Sequence, residues 1–218
     1  MFRSLSSVFK AALLALVFVP AIPSTGSALI SDTLKLNKRD TTDLMRIQQH
    51  LNSAKTIRAR FLQMSSNGEY AEGDIALQRP GRLKLTYDAP NPLMVVADGS
   101  YISYVDRELE QATTLPLSVT RAELLLRASM SFFGKDVLVT GFERSPGVLR
   151  VSLVKTDEAL EGNITLIFSD NPLEIRKWTV TDAQGITTTV SLLGPTFNAP
   201  LNPELFKYTP ADKTNDIN

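Results

Sequence analysis

Apolar and polar residues alternate through most of this chain. Between Arg82 and Asp88, Leu83, Leu85 and Tyr87 point one way, and Arg82, Lys84, Thr86 and Asp88 point the other. That period of two marks a strand with one dry and one wet face. Pro80-Gly81 supplies a turn before it, and Pro90 ends it. The same alternation places Leu149, Val151 and Leu153 on one face, Ile164, Leu166 and Phe168 on another, and Ile186, Thr188, Val190 and Leu192 on a third. The pattern predicts strands over 56–66, 69–79, 82–88, 92–98 and 101–106, with a short edge strand at 108–114. It resumes over 136–144, 147–155, 163–169, 173–182 and 185–193. Asn67-Gly68, Pro80-Gly81, Asp98-Gly99 and Pro146-Gly147 join them at spacings that suit antiparallel hairpins rather than βαβ crossovers.

Two stretches break the rhythm. Leu44, Ile47 and Leu51 form one helical stripe, and Asp40-Thr41-Thr42-Asp43 offers an N-cap, which predicts a helix over about 41–54. Thr120-Arg121-Ala122-Glu123 reads as a capping box ahead of Leu124 to Phe133, a very apolar insertion of one or two short helices stopped by Gly134. About eleven antiparallel strands cannot stay flat, so the sheet should curl into a trough. Its inner face then needs a second sheet, a helical plug or a ligand. Trp178 and Val180 could belong to either face.

Composition narrows what such a trough could do. Arg3 and Lys10 precede the continuous apolar run Ala11–Val19, and Gly26-Ser27-Ala28 provides small residues for cleavage, so 1–28 has the layout of a secretory signal peptide. A poorly ordered lead-in is expected over 29–39, one domain with a substantial core over 40–210 and a frayed C-terminus over 211–218. Cleavage would leave 21 basic against 23 acidic residues, no electrostatic match for nucleic acid. The chain has no cysteine, which excludes a disulfide framework, a thiol nucleophile, a Cys zinc site and a lipid anchor on cysteine. His50 is the only histidine and reads as a surface residue of the first helix. There is no G-x-S-x-G elbow and no phosphate-binding glycine loop. Asp74, Asp88, Asp98 and Asp106 could pair as catalytic carboxylates, but three of the four sit at turns or strand ends, where Asp is a common turn former. Neither catalysis nor a cofactor nor a metal is expected.

The residues Phe61-x-Gln63, Gly73-Asp74-Ile75-x-Leu77, Arg79-Pro80, Tyr87-Asp88-Ala89-Pro90, Val95-Val96-Ala97-Asp98-Gly99, Tyr104-Val105-Asp106 and Glu110-Gln111-Ala112-Thr113 occur in an order that resembles the LolA family over about Asp40–Pro210. The resemblance implies a mainly β fold with a helical lid (α+β): an unclosed antiparallel barrel of eleven strands enclosing an apolar cavity. It implies a soluble periplasmic chaperone that carries triacylated lipoproteins from an inner-membrane ABC-type release complex to an outer-membrane LolB-like receptor, as a monomer. Absence of cysteine favours LolA over LolB, which is itself a lipoprotein. By position, Arg79 matches the arginine that hydrogen-bonds lid carbonyls in the closed state. Leu83 and Leu85 match an inward-facing strand where relatives often carry aromatics, which points to a roomier or differently shaped cavity. With the apolar strand faces and lid, the resemblance offers Phe61, Leu77, Leu83, Leu85, Val95, Leu125, Met130, Phe133, Leu149, Val151, Leu166, Phe168 and Trp178 as lipid-lining candidates. A carrier of a glycolipid or hopanoid, and a non-catalytic envelope interaction domain, remain open beside it.

Overall fold

In a computed structural model, the described residues are 34–156 and 162–208. The expected signal peptide over 1–28, residues 29–33 of the lead-in and the C-terminal 211–218 lie outside them. Helix α1 (Lys38–Ser53) is followed by β1 (Thr56–Ser65), β2 (Tyr70–Gln78), β3 (Arg82–Tyr87), β4 (Leu93–Asp98), β5 (Tyr101–Asp106) and β6 (Gln111–Pro116). A 3-10 turn (Leu117–Val119) and the short helix α2 (Ala122–Leu126) come next. The chain then runs through β7 (Val137–Ser145), β8 (Val148–Lys155), β9 (Gly162–Ser169), β10 (Glu174–Asp182) and β11 (Thr187–Phe197) to a second 3-10 turn (Pro203–Phe206). The strands form one unclosed sheet in the order β6-β5-β4-β3-β2-β1-β11-β10-β9-β8-β7. Every pairing whose register is defined is antiparallel. The eleven-stranded antiparallel architecture expected from the alternation is therefore present.

The chain divides into two compact units. One holds α1, the β1–β2 turn region Leu62–Tyr70 and the described part of Ser129–Leu193; the other holds Lys55–Phe61, Ala71–Ala128 and the segment from Gly194. In the second, cross-strand partners build rows on one face. Ile75 pairs with Leu85, Leu85 with Val95, and Val95 with Tyr104. Leu77, Leu83, Ala97 and Ile102 make the next row, and both rows are buried. Phe61 crosses β2 at Gly73, where an added Cβ would lie 2.1 Å from the Thr86 carbonyl oxygen and 2.8 Å from the Phe61 ring. Only glycine leaves that passage open. The Phe61 ring then meets Tyr87 edge-on, with centroids 5.2 Å apart.

The opposite face of this unit is covered as well. Val96 and Val105 alternate with the inner-row residues yet are buried. The C-terminal 3-10 turn packs against β3 and β4, with Phe206 wholly buried. A polar tail after Pro200 gave little sign of this. One phenylalanine among Asn202, Glu204 and Lys207 makes no periodic pattern.

In the first unit, Leu149 pairs with Phe168, and Val151 with Leu166, which pairs with Trp178. Trp178 also opposes Val190, so it belongs to the buried face. A bulge between Ile175 and Lys177 adds one residue and brings Ile175 and Trp178 to the same side. This resolves the facing of Trp178 and Val180. A second bulge, between Val139 and Gly141, interrupts β7.

Helix α1 starts earlier than the stripe predicts. Asn37 is the N-cap: its side-chain oxygen accepts from the Asp40 N–H at 2.9 Å, and its own N–H donates to the Asp40 carboxylate at 3.1 Å. Asp40 is thus the third helical residue of a capping box, not the cap. The expected capping box at Thr120 does not form. The Thr120 hydroxyl donates to the Leu117 carbonyl, closing the 3-10 turn, and Glu123 instead pairs with Arg127 at 2.8 Å. The apolar insertion yields one helix of five residues, ending at Leu126 well before Gly134.

Candidate functional site: two apolar sheet faces and their helical cover

Two apolar sheet faces, one in each unit, and the helical segments tied to each unit by hydrogen bonds are the candidate site. In the second unit, Phe61, Leu77, Leu83, Leu85 and Val95 come together on one face, all buried. Leu125 on α2 is half-buried. A helix this short leaves its last carbonyls without intrahelical partners. The β2–β3 turn supplies them. The Arg79 Nε–H donates to the Leu125 carbonyl at 2.9 Å, and the Gly81 N–H donates to the Leu126 carbonyl at 2.8 Å. Gly81 has φ +75°, and a Cβ there would lie 2.6 Å from the Gly99 Cα, so glycine alone can present its N–H in this way. Arg79 is only 9% exposed, and burial pushes its pKa down to about 10. The guanidinium is therefore held in an unfavourable medium, facing a helix end whose partial negative charge offsets part of the cost.

In the first unit, Leu149, Val151, Leu166 and Phe168 are wholly buried, Met130 is buried and Trp178 is half-buried. Phe133 is half exposed. Helix α1 is tied to this part of the sheet. Arg144 on β7 binds both Asp40 and Asp43, and Arg46 bridges Asp43 at 2.7 Å and Asp170 at 3.0 Å. Burial alone would raise the Asp43 pKa, but hydrogen bonds from Arg144 and Arg46 outweigh it and hold the carboxyl below its ordinary value. His50 is not a plain surface residue: it is half-buried and meets the Phe168 ring edge-on at 6.4 Å.

Sequence reasoning missed the clamp on the segment after α2. The Asn52 amide donates to the Met130 carbonyl at 2.9 Å and accepts from the Met130 N–H at 2.7 Å, imitating a strand partner. Gln48, one turn earlier, accepts from the Phe132 N–H at 2.9 Å. The available signal was two amides at i, i+4 beside the Leu44–Ile47–Leu51 stripe. Of the candidate carboxylates, Asp74 and Asp88 both face Arg60, which also lies 3.8 Å from Glu72, in an exposed ion-pair cluster. Each pair in it is exposed enough for solvent to screen.

These features define a class: an unclosed antiparallel sheet with buried apolar rows, joined to a short helix whose end is held by backbone and side-chain hydrogen bonds. The family model for the outer membrane lipoprotein carrier protein LolA matches residues 52–209. The chain belongs to the LolA family. An outer-membrane lipoprotein carrier protein from Azotobacter vinelandii is 28% identical over 186 residues, covering 82% of this chain and 89% of that protein. One from Pseudomonas syringae pv. syringae is 29% identical over 178 residues, covering 78% and 84%. Among solved structures, a LolA superfamily protein from Nitrosomonas europaea matches with a TM-score of 0.45 and 9% identity, over 76% of this chain and 97% of that one. Among the described residues, no helix is long and apolar enough to cross a membrane.

Proposed function

We propose that this chain is a periplasmic carrier that shelters the acyl chains of triacylated lipoproteins, without catalysis. It would receive them from an inner-membrane ABC-type release complex and deliver them to an outer-membrane LolB-like receptor, acting as a monomer exported by the segment 1–28. The observation that carries the reading is the apolar face around Leu83 and Leu85, whose neighbouring helix is held at its end by Arg79 and Gly81. Family membership and relatives named as lipoprotein carriers support it.

The physical requirement is modest. Each acyl methylene withdrawn from water is worth roughly 0.8 kcal/mol, so sheltering about ten gives roughly 8 kcal/mol, near micromolar affinity. No nucleotide is needed at the carrier. Cargo and closed cover compete for the same apolar surface, and Arg79 acts as the latch of the closed form. Leu125, Met130 and Phe133 contribute from the cover and its following segment. Leu77, Leu83, Leu85, Val95, Leu149, Val151, Leu166, Phe168, Phe61 and Trp178 contribute from the sheet.

The test is displacement. Mature protein should bind a fluorescent apolar probe saturably, and a triacylated lipopeptide should displace it while the unacylated peptide does not. Absence of saturable binding would sink the proposal. Solvent extraction of protein purified from the periplasm separates cargo classes: co-purifying lipoproteins support this reading, and bound free glycolipid or hopanoid replaces it.

A further inference from the structure

Tyr104 stands out on the apolar face of the second unit. It sits in the row Ile75–Leu85–Val95–Tyr104, so its ring shares a face with the candidate lipid lining. The residue is 8% exposed, and its hydroxyl oxygen is buried without a hydrogen-bond partner among the described residues. Buried polar groups are almost always paired, because an unpaired one forfeits its bonds to water and receives nothing in return. Phenylalanine would fill the same volume without that penalty. Burial pushes the phenol pKa up, and nearby Tyr87 pushes it further, so the group is a protonated donor at any physiological pH. An orphan donor on an apolar wall is complementary to one kind of ligand atom: an acceptor attached to a hydrocarbon chain.

We propose that the Tyr104 hydroxyl donates a hydrogen bond to an acyl ester carbonyl of the bound cargo, and so fixes how deep the chain inserts. This rests on the carrier reading above and adds to it a polar anchor specific to acyl esters. Carbonyl oxygen is an acceptor only, which matches a phenol that has a proton to give. An alkyl ether at the same position lacks that carbonyl and offers only an ether oxygen, a weaker acceptor set back in the chain from where the carbonyl oxygen would lie.

The test compares two synthetic lipopeptides that share peptide and chain length, one with two acyl esters and the other with two alkyl ethers. Affinities are read by displacement of an apolar fluorescent probe from the mature protein. Wild type should prefer the ester by about 3- to 10-fold, the range expected for one hydrogen bond. Tyr104→Phe should bind the two equally, and its melting temperature should hold or rise. Equal binding of ester and ether by wild type overturns the anchor, and this arm needs no variant to fold. An ester preference that survives in Tyr104→Phe overturns it too, as does a fall in that variant's melting temperature. If wild type binds neither lipopeptide nor probe, the carrier reading itself fails. If it binds both lipopeptides equally well, only the anchor does.

Discussion

Replacing Arg79 with leucine should uncouple the stability of the fold from the stability of its helical cover. The side chain is almost wholly buried, and burial depresses its pKa to about 10. Because the folded pKa lies below the unfolded one, the cost is fully present below about pH 10 and fades at higher pH. At neutral pH it amounts to about 3 kcal/mol against the folded state. The return is a charge-assisted hydrogen bond to the Leu125 carbonyl, worth about 1.5–3 kcal/mol. Arg79→Leu removes both terms, so global stability by urea denaturation should stay within about 2 kcal/mol of wild type. The end of α2 loses the bond to its Leu125 carbonyl and keeps the one from the Gly81 N–H to its Leu126 carbonyl. Amides at the end of the insertion, such as Leu124 and the C-cap Arg127, which bond to the Arg121 and Glu123 carbonyls, should exchange with deuterium about tenfold to a hundredfold faster. In a transfer assay the variant should load lipoprotein normally but release it slowly to the receptor, since the closed form that competes with cargo is weakened. A loss of more than about 3 kcal/mol in global stability, with α2 protection unchanged, would refute this division of roles.

Three further outcomes follow from particular contacts. Gly73→Ala should cost about 1–3 kcal/mol in denaturant unfolding, because the new methyl meets the Thr86 carbonyl and the Phe61 ring; an unchanged midpoint would mean Phe61 moves freely. Asn52→Ala should cost about 1–3 kcal/mol and speed exchange at Met130, whose N–H and carbonyl lose their partner. Asp43→Asn should melt at lower temperature than wild type at neutral pH. The Asp43 pKa is depressed in the fold, so its contribution is present above the ordinary value of 3.8 and lost as pH falls below it. The melting temperatures should therefore draw together on acidification below 3.8, and a gap that does not narrow as the pH falls would contradict the assignment.

The strands most legible in the sequence are those where burial is one-sided and the pleat unbroken. In β3 and β9 the buried residues are the alternating apolar ones, and in β8 the same holds through Leu153, with Val154 buried out of phase. Legibility fails where a bulge changes the parity, because the extra residue at Arg176 carries no compositional mark and shifts Trp178 relative to Ile175. It fails again at Thr120, where the same hydroxyl can cap a helix or close a 3-10 turn and the surrounding fold decides. Arg79 was legible through family likeness and not through spacing, since a charge before a turn proline is ordinarily solvated. Asn52, Gln48 and the orphan hydroxyl of Tyr104 depend on partners, or their absence, far along the chain. No local window contains that information.

The strand order also bears on how the chain reaches this structure. Strands β2 to β6 pair each with the next, as do β7 to β11, so most of the sheet can assemble from hairpins between near neighbours. The exception is β1, which lies beside β11. The Thr56 hydroxyl meets the Ala199 carbonyl across a sequence separation of 143 residues. Closing so long a loop loses entropy before any contact compensates for it. When the chain appears from its N-terminus, as in synthesis, the first strand has only its β2 flank available early. Its other flank stays open to wrong pairing until nearly the last residues arrive. The seam between β1 and β11 is thus the last part of the sheet to close, and the flank where wrong pairing has the longest time to occur.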